Sequence, residues 1–200
     1  MGSNGVYIPN RGNTTIPLPG GGALVFPPAT GGGCVHSGPF TPDTFTIHLG
    51  PLGTDPKGPL EGYGYNPRCL TRDLSPEFSA NCRPTNVSAL VGDCEDIACF
   101  NRVLDTSPKG IHGAGHFVMG PVAMDVFSSP NDPAFWLHHA NVDRLWAIWQ
   151  GQALRERTYQ LWGTRTSGNG RSFFLDFEGM LILTVVISSS QRQRDAGHAA

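Results

Sequence analysis

The clearest hydrophobic pattern in the 200-residue chain lies in the stretch AFWLHHANVDRLWAIWQ, which follows Asp132 and Pro133. Four side chains recur there at intervals of four, three and four residues: Phe135, His139, Val142 and Trp146. Residues with this spacing share one face of a helix. Asp132 can accept a hydrogen bond from the first free amides, and a proline at the first helical position sacrifices no bond. The pattern predicts a helix that ends near Gly151 and turns His139 inward.

A second helical pattern runs from Asn86 to Leu104 and ends before a Ser-Pro pair. Between the two predicted helices lies the sequence HGAGH, in which His112 and His116 are four residues apart. Histidines at this spacing face the same way on a helical turn, so both imidazoles can reach one metal ion. The two intervening glycines weaken a helix by about 1 kcal/mol each relative to alanine. They also leave space for a second element or a substrate ring to approach closely.

The front of the chain lacks any sustained helical or strand period. The protein has 26 glycines and 17 prolines, and residues 1–70 contain runs such as PLPGGGALVFPPATGGG. Such runs interrupt regular structure and predict long loops. A disordered linker is the alternative, but this segment has more apolar anchors than a linker requires: Val25, Phe26, Phe40, Phe45, Ile47, Leu49, Tyr63 and Tyr65. We therefore expect ordered loops that wrap a helical core.

The length is sufficient for one domain of ordinary size. We expect a mainly α fold, a helical bundle with long Pro/Gly-rich loops, divided into three segments. Residues 1–84 form the loop-rich wrap, and residues 85–160 form the helical part that carries the histidines. Residues 161–200 have an atypical composition for such a fold, so we expect a disordered tail or an altered gene product there.

Charge and hydropathy exclude two classes of partner. Fourteen basic and sixteen acidic residues give a formal net charge of −2, which does not attract nucleic acid or an anionic membrane. The longest apolar run, 180–187, has eight residues and is too short to span a bilayer. The residues after Met1 are polar and turn-forming, so we expect no export signal within this chain.

The five cysteines show no CxxC spacing, so disulfides are expected if the compartment is oxidising, with one cysteine left over. Two sequons, Asn13-Thr14-Thr15 and Asn86-Val87-Ser88, also favour secretion of the full-length form.

Three imidazoles, from His112, His116 and His139, would form a metal site with an open position. Imidazole binds zinc, copper, iron and nickel, so the ligand type alone leaves the metal open. The first pair lacks the glutamate of an HExxH hydrolase, and no cysteine or carboxylate completes a closed zinc site. The alternative is purely structural, because an isolated HxxxH pair occurs in many helices without metal, and neighbouring aromatic residues at helical spacing are ordinary core.

The string DPAFWLHHANVDRLWAIWQ, with HGAGHF upstream, resembles the second copper-binding half of tyrosinases and catechol oxidases, most closely the short fungal members. The resemblance continues through GCVHSGPF, HLGP and YNPRCLTRDL and covers roughly residues 34–160. It implies that His112, His116 and His139 bind one copper ion. It also implies that His138 and Asp143 support these ligands from behind, as outer contacts commonly do.

The resemblance further implies a set of substrate-binding positions. Phe135 would border the ring-binding pocket, and Val126 would gate the copper. Gly113 and Phe117 match positions associated with the balance between monophenol and diphenol oxidation, and Gly113 favours a catechol oxidase. The expected substrates are a phenolic small molecule and dioxygen.

The chain also departs from the family pattern. Family members use two copper ions, each held by three histidines, whereas only His36 and His48 precede His112 here. The chain therefore resembles a polyphenol oxidase fragment that is incomplete on its N-terminal side, with one copper ion and little or no activity alone. Two alternatives stay open: a non-catalytic copper-binding subunit whose partner chain supplies the missing half, and a mononuclear three-histidine zinc hydrolase.

Overall fold

The computed structural model describes residues 2–17, 22–106 and 108–162. The fold is mainly helical, as predicted. The α-helices are α1 (Pro76–Ser79), α2 (Pro84–Asp93), α3 (Ile97–Asp105), α4 (Ile111–Met119), α5 (Pro121–Met124), α6 (Ala134–Gly151) and α7 (Leu154–Arg157). Among the described residues, no helix is long and apolar enough to cross a membrane. The predicted tail and its apolar run, from residue 163 onward, lie outside the described residues.

Four short strands precede the helices: β1 (Gly5–Tyr7), β2 (Thr14–Pro17), β3 (Ala23–Phe26) and β4 (Gly32–Val35). They form two antiparallel two-stranded sheets, β1 with β4 and β2 with β3. Neither sheet was predicted, because frequent Gly and Pro hide the strand period in this segment. The long connections between and after the strands are loops, as expected.

Only part of the predicted anchor set is buried. Phe26 and Ile47 are buried, and Phe40 and Phe45 pack against a buried cluster. The prediction was wrong for the other four anchors, which are at least half exposed: Val25, Leu49, Tyr63 and Tyr65. Tyr65 stacks instead on the exposed ring of His48 with a centroid distance of 5.3 Å. Apolar residue type alone therefore overestimates the burial of this segment.

The single helix predicted for 86–104 is two helices. Helix α2 ends at Asp93 and α3 begins at Ile97, where the Asp96 side chain accepts a hydrogen bond from the Cys99 amide at 2.7 Å. A disulfide joins Cys94 to Cys99 across this corner. Both helices turn apolar residues toward one core.

The main core lies between α2, α3, α4 and α6. It contains eight buried residues: Leu90, Cys94, Ile97, Phe100, Leu104, Ile111, Leu145 and Trp149. The indole N–H of Trp149 donates to the Cys94 carbonyl oxygen, so the largest side chain in this core has its polar atom satisfied. Helix α4, which carries HGAGH, is therefore supported on one side by this core.

Buried charges connect the front of the chain to the helices. Arg72 and Asp132 form a bidentate pair with distances of 2.9 and 2.7 Å, and both side chains are almost fully buried. Asp132 also accepts from the Ala134 amide at 2.8 Å, so it caps α6 as predicted. The buried Asp125 carboxylate accepts from four backbone amides: those of Leu52, Gly53, Phe127 and Ser128. These contacts fix the 52–53 loop, the turn after α5 and the start of α6.

The predicted disulfides form as Cys34–Cys69 and Cys94–Cys99, and Cys82 is free. The first disulfide joins β4 to the segment that leads to Arg72. The cysteine count had left the pairing open, and the structure resolves it.

Candidate metal centre

Helices α4 and α6 bring four imidazoles together. His112 and His116 lie one turn apart on α4, and His138 and His139 are adjacent on α6. The rings of His112 and His139 have centroids 4.9 Å apart, and those of His116 and His139 are 5.2 Å apart. The two helical patterns predicted from the sequence thus converge at one place. His36 and His48 take no part in this cluster.

Hydrogen bonds fix the orientation of both α4 rings. His112 Nδ1 lies 2.8 Å from the buried carboxylate of Asp105, and His116 Nδ1 lies 2.9 Å from the carbonyl oxygen of Ala123. Both oxygens are acceptors, so each Nδ1 carries the proton and each Nε2 offers a lone pair. This carboxylate–imidazole arrangement is the usual support of a metal-binding histidine.

Two histidines could complete a triad with this pair. The ring nitrogens of His112, His116 and His138 can be grouped within 4.8 Å of one another. However, His138 Nε2 lies 2.8 Å from the carbonyl oxygen of His112 and donates to it. His139 Nε2 instead lies 3.1 Å from His116 Nε2, which is 3.3 Å from His112 Nε2. The closer set of Nε2 atoms therefore belongs to His112, His116 and His139, and His138 braces α6 against α4.

These distances fit one shared cation. Two imidazole nitrogens at about 2.0–2.1 Å from one ion, in tetrahedral geometry, would lie about 3.3 Å apart. Three imidazoles that leave a position open suit a catalytic transition metal better than a closed structural site.

Burial keeps the imidazoles of His116, His138 and His139 neutral. Desolvation, together with the neighbouring His112, lowers the pKa of His138 and of His139 to about 4. The pKa of His116 lies well below its ordinary value for the same reasons, with burial as the largest cause. Neutral imidazole is the form that binds metal, so the site is ready to accept a cation at neutral pH.

Gly115 explains why the sequence between the α4 histidines is small. A Cβ atom at this position would lie 2.1 Å from the His138 ring. The close approach of α6 to α4 therefore requires glycine here, as the sequence pattern suggested. The His138 ring also lies parallel to the His112 ring, 5.5 Å away.

The predicted substrate-binding residues are distributed unevenly. The Phe135 ring lies 4.0 Å from the His139 ring, at the edge of the cluster. Phe117, by contrast, is buried in a separate core and stacks on Phe26 at 4.6 Å, so any influence on substrate choice would act through the backbone of α4. Val126 is half-buried after α5, and Gly113 is half-buried on α4. Their predicted roles stay predictions.

Asp143 is exposed on α6, and within the described ranges it makes no hydrogen bond or ion pair. Its support of the ligand helix also stays a prediction. The sequence reasoning missed Asp105, although its contact with His112 is short and buried. Asp105 ends α3, seven residues before His112, and nothing in that spacing indicates that the two meet. Only the packing of α3 against α4 brings them together.

Comparisons with known proteins identify the fold. A family model described as the common central domain of tyrosinase matches residues 1–152, and so begins earlier than the resemblance read from the motifs. The chain is 37% identical over 180 residues to the tyrosinase-like protein orsC of Emericella nidulans, covering 83% of this chain. It is 37% identical over 153 residues to tyrosinase P of Aspergillus terreus, covering 72% of this chain. The chain belongs to the tyrosinase family.

A solved relative agrees with this assignment. A polyphenol oxidase mutant from Thermothelomyces thermophila superposes with a TM-score of 0.65 and 39% identity over 76% of this chain. The chain spans less than half the length of these relatives: 47% of orsC, 42% of tyrosinase P and 41% of the polyphenol oxidase. Family membership implies copper, and the three-imidazole donor set described above fits that ion.

Proposed function

We propose that this chain is the second-copper half of a polyphenol oxidase, which in its complete form oxidises o-diphenols to o-quinones with dioxygen. The convergence of the three Nε2 atoms of His112, His116 and His139, with two of the rings fixed by acceptors at Nδ1, is the observation that carries the proposal. Bound copper would supply one-electron redox chemistry and affinity for dioxygen. The chain itself positions the metal ligands, orients the phenol ring and keeps water away from the site.

His112, His116 and His139 hold the ion in this proposal, and Asp105 keeps the His112 proton on Nδ1. Phe135 packs against the His139 ring and forms an aromatic wall along which a phenol ring can lie. Gly113 adds no side chain beside the first ligand and favours diphenols over monophenols as substrates. Val126 would limit access to the ion from the loop after α5.

The described residues contain one three-histidine set, so we expect one copper ion per chain. Metal analysis after copper loading tests the ligand assignment with a pair of neighbouring variants. His139→Ala should reduce bound copper to background, whereas His138→Ala should retain most of it because its Nε2 faces a carbonyl oxygen. Copper retained by His139→Ala and lost by His138→Ala would reverse the assignment. One zinc per chain, with no copper uptake, would instead favour the hydrolase alternative.

Oxygen consumption with catechol tests the functional part of the proposal. The monomeric, copper-loaded chain should consume oxygen slowly or not at all. The proposed oxidation needs two copper ions that share dioxygen, and this chain is expected to hold one. A rate typical of an intact oxidase would contradict this expectation.

A copper-binding subunit that works with a partner chain is the second candidate. The exposed side of α6 supports it, because Trp136, Leu137 and Ile148 are 63%, 57% and 41% exposed there. A partner that supplies a second three-histidine set should cover this side and restore oxygen uptake on mixing. The N-terminal half of a close relative is a suitable probe. If oxygen uptake does not increase with it, the fragment hypothesis is favoured over the subunit hypothesis.

Secretion of the full-length protein forms part of the same proposal. Two disulfides in a chain of this size are typical of an oxidising compartment and support it.

A further inference from the structure

The two sequons lie in different surroundings. Asn13 is exposed in the coil between Arg11 and β2, and within the described part of the chain its side-chain amide makes no hydrogen bond. At the preceding residue, Gly12, an added Cβ would meet nothing within 4 Å, so open space surrounds this coil. A large substituent on Asn13 would therefore displace no neighbour.

The backbone on both sides of Asn13 is nevertheless held in place. Arg11 forms a bidentate pair with Asp73 at 2.9 and 2.8 Å. Thr14 begins the antiparallel ladder opposite Phe26, and the Thr15 carbonyl oxygen accepts from the Asp55 amide at 3.0 Å. A substituent at Asn13 would thus project from a fixed surface and disturb none of these contacts.

Asn86 is exposed as well, but its amide nitrogen is engaged. Nδ2 donates to the carbonyl oxygens of Asn81 at 2.9 Å and Ala80 at 3.3 Å, which connects the first turn of α2 to the preceding short helix. A sugar on Nδ2 replaces one of its two hydrogens, so at least one of these bonds is lost. The sugar would also have to occupy the space beside those carbonyl groups.

We propose that Asn13 is an N-glycosylation site of this protein and that Asn86 stays unmodified in the folded chain. The donor is a lipid diphosphate-linked oligosaccharide of the secretory pathway. Its C1–O bond to phosphate breaks and the lipid diphosphate leaves with the electron pair. A C1–N bond forms with Asn13 Nδ2, and the proton lost from that nitrogen passes to solvent. Thr15 supplies the hydroxyl that the sequon requires. The two disulfides point to the compartment in which this transfer takes place.

Translation of the full chain behind a cleavable secretory leader, in the presence of microsomes, tests the proposal without requiring export or copper. Removal of glycans with an amidase should shift the chain by the mass of one glycan, with the converted Asn13 identified by peptide mass. Asn13→Gln and Thr15→Ala should each abolish the shift. Asn86→Gln and Ser88→Ala are the matched controls and should leave one glycan in place.

A reductant adds a second readout that depends on the fold. With the disulfides prevented from forming, Asn86 should gain glycan while occupancy at Asn13 is unchanged, because only Asn86 is shielded by folded structure. A chain without glycan, or one whose glycan persists in Asn13→Gln and disappears in Asn86→Gln, would overturn the proposal. Equal occupancy of both sites under oxidising conditions would overturn the distinction between them.

Discussion

Residues 2–75 and the helical residues 76–162 are held together by different kinds of contact. The helical part packs eight buried residues between α2, α3, α4 and α6 around Trp149 and Phe100. The front part has two short sheets and smaller apolar clusters, and many of its contacts are polar. Its buried carboxylate Asp73 accepts from Arg11 and from the amides of Ala29 and Gly31. A glycine-rich chain that cannot build a large apolar core thus relies on directed bonds.

The two regions meet at the start of α6 and at the turn after α5. Arg72 reaches from the front to Asp132, which caps the ligand-bearing helix α6, and Asp125 ties the 52–53 loop to the turn after α5. The two regions therefore have different roles. Packing in the helical core determines that α4 and α6 face each other, and the polar contacts of the front region hold the start of α6 and the turn after α5 in place.

The largest expected effect comes from breaking the connection between the regions. Arg72→Ala leaves the Asp132 carboxylate buried without its guanidinium, which should lower the free energy of unfolding by about 3–5 kcal/mol. Urea denaturation of the metal-free chain measures it. The double variant Arg72→Met/Asp132→Asn removes both charges and should regain a large part of the loss. Equal destabilisation in the single and double variants would show that the charge pair is not the cause.

Truncation in the helical core should be nearly as severe. Leu90 is fully buried in that core, so Leu90→Ala should cost about 2–5 kcal/mol through lost contacts and a residual cavity. Val25→Ala in the front sheet is the matched control: Val25 is 54% exposed and should change stability by less than about 0.5 kcal/mol. Similar losses for the two variants would contradict the contrast between the regions.

A smaller effect is expected at the metal centre itself. Asp105→Ala removes the acceptor for His112 Nδ1 and should weaken copper affinity about 10–100-fold. Competition with a chelator of known affinity measures the change. Asp93→Asn, an exposed carboxylate on α2, is the control and should leave affinity unchanged. An unaltered affinity in Asp105→Ala would show that Ala123 and the packing of α4 alone orient the ligands.

A pH dependence of the metal-free chain is also expected. His138 and His139 have folded pKa values of about 4, whereas unfolded histidines titrate near 6.5. The unfolded chain binds more protons between these values, so stability should fall as pH decreases from about 6.5 toward 4. Denaturation midpoints measured between pH 6.5 and 5 give the slope of stability against pH. Most carboxyl groups titrate below this range and so contribute little to the slope. His139→Gln should reduce that slope, and a flat profile in the parent chain would contradict the burial of these rings.

Sequence periodicity predicted the elements that carry the cluster well. The spacing of Phe135, His139 and Val142, with Asp132 as cap, gave α6 and its inward face. The HxxxH spacing predicted the helical turn of α4. Both predictions succeeded because these patterns are local and depend only on helical geometry. The break between α2 and α3 was missed because an apolar stripe continues through the corner, where Cys94, Asp96 and Cys99 end one helix and start the next.

The contacts that support the cluster could not be predicted in the same way. Asp105 meets His112, and Arg72 meets Asp132, through tertiary packing that no spacing encodes. The strands were hidden because their few residues are surrounded by glycine and proline. The exposure of Tyr63 and Tyr65 was missed because aromatic residues on a loop can stack on a neighbour, as Tyr65 does on His48, without entering a core.

The acceptors behind His112 and His116 have a consequence for the order of maturation. Asp105 and Ala123 orient both rings through contacts made by the polypeptide alone, with each Nε2 turned toward the other ligands. We therefore expect the metal-free and the copper-loaded chain to share this arrangement. Synthesis and metal supply could then be separated in time and place.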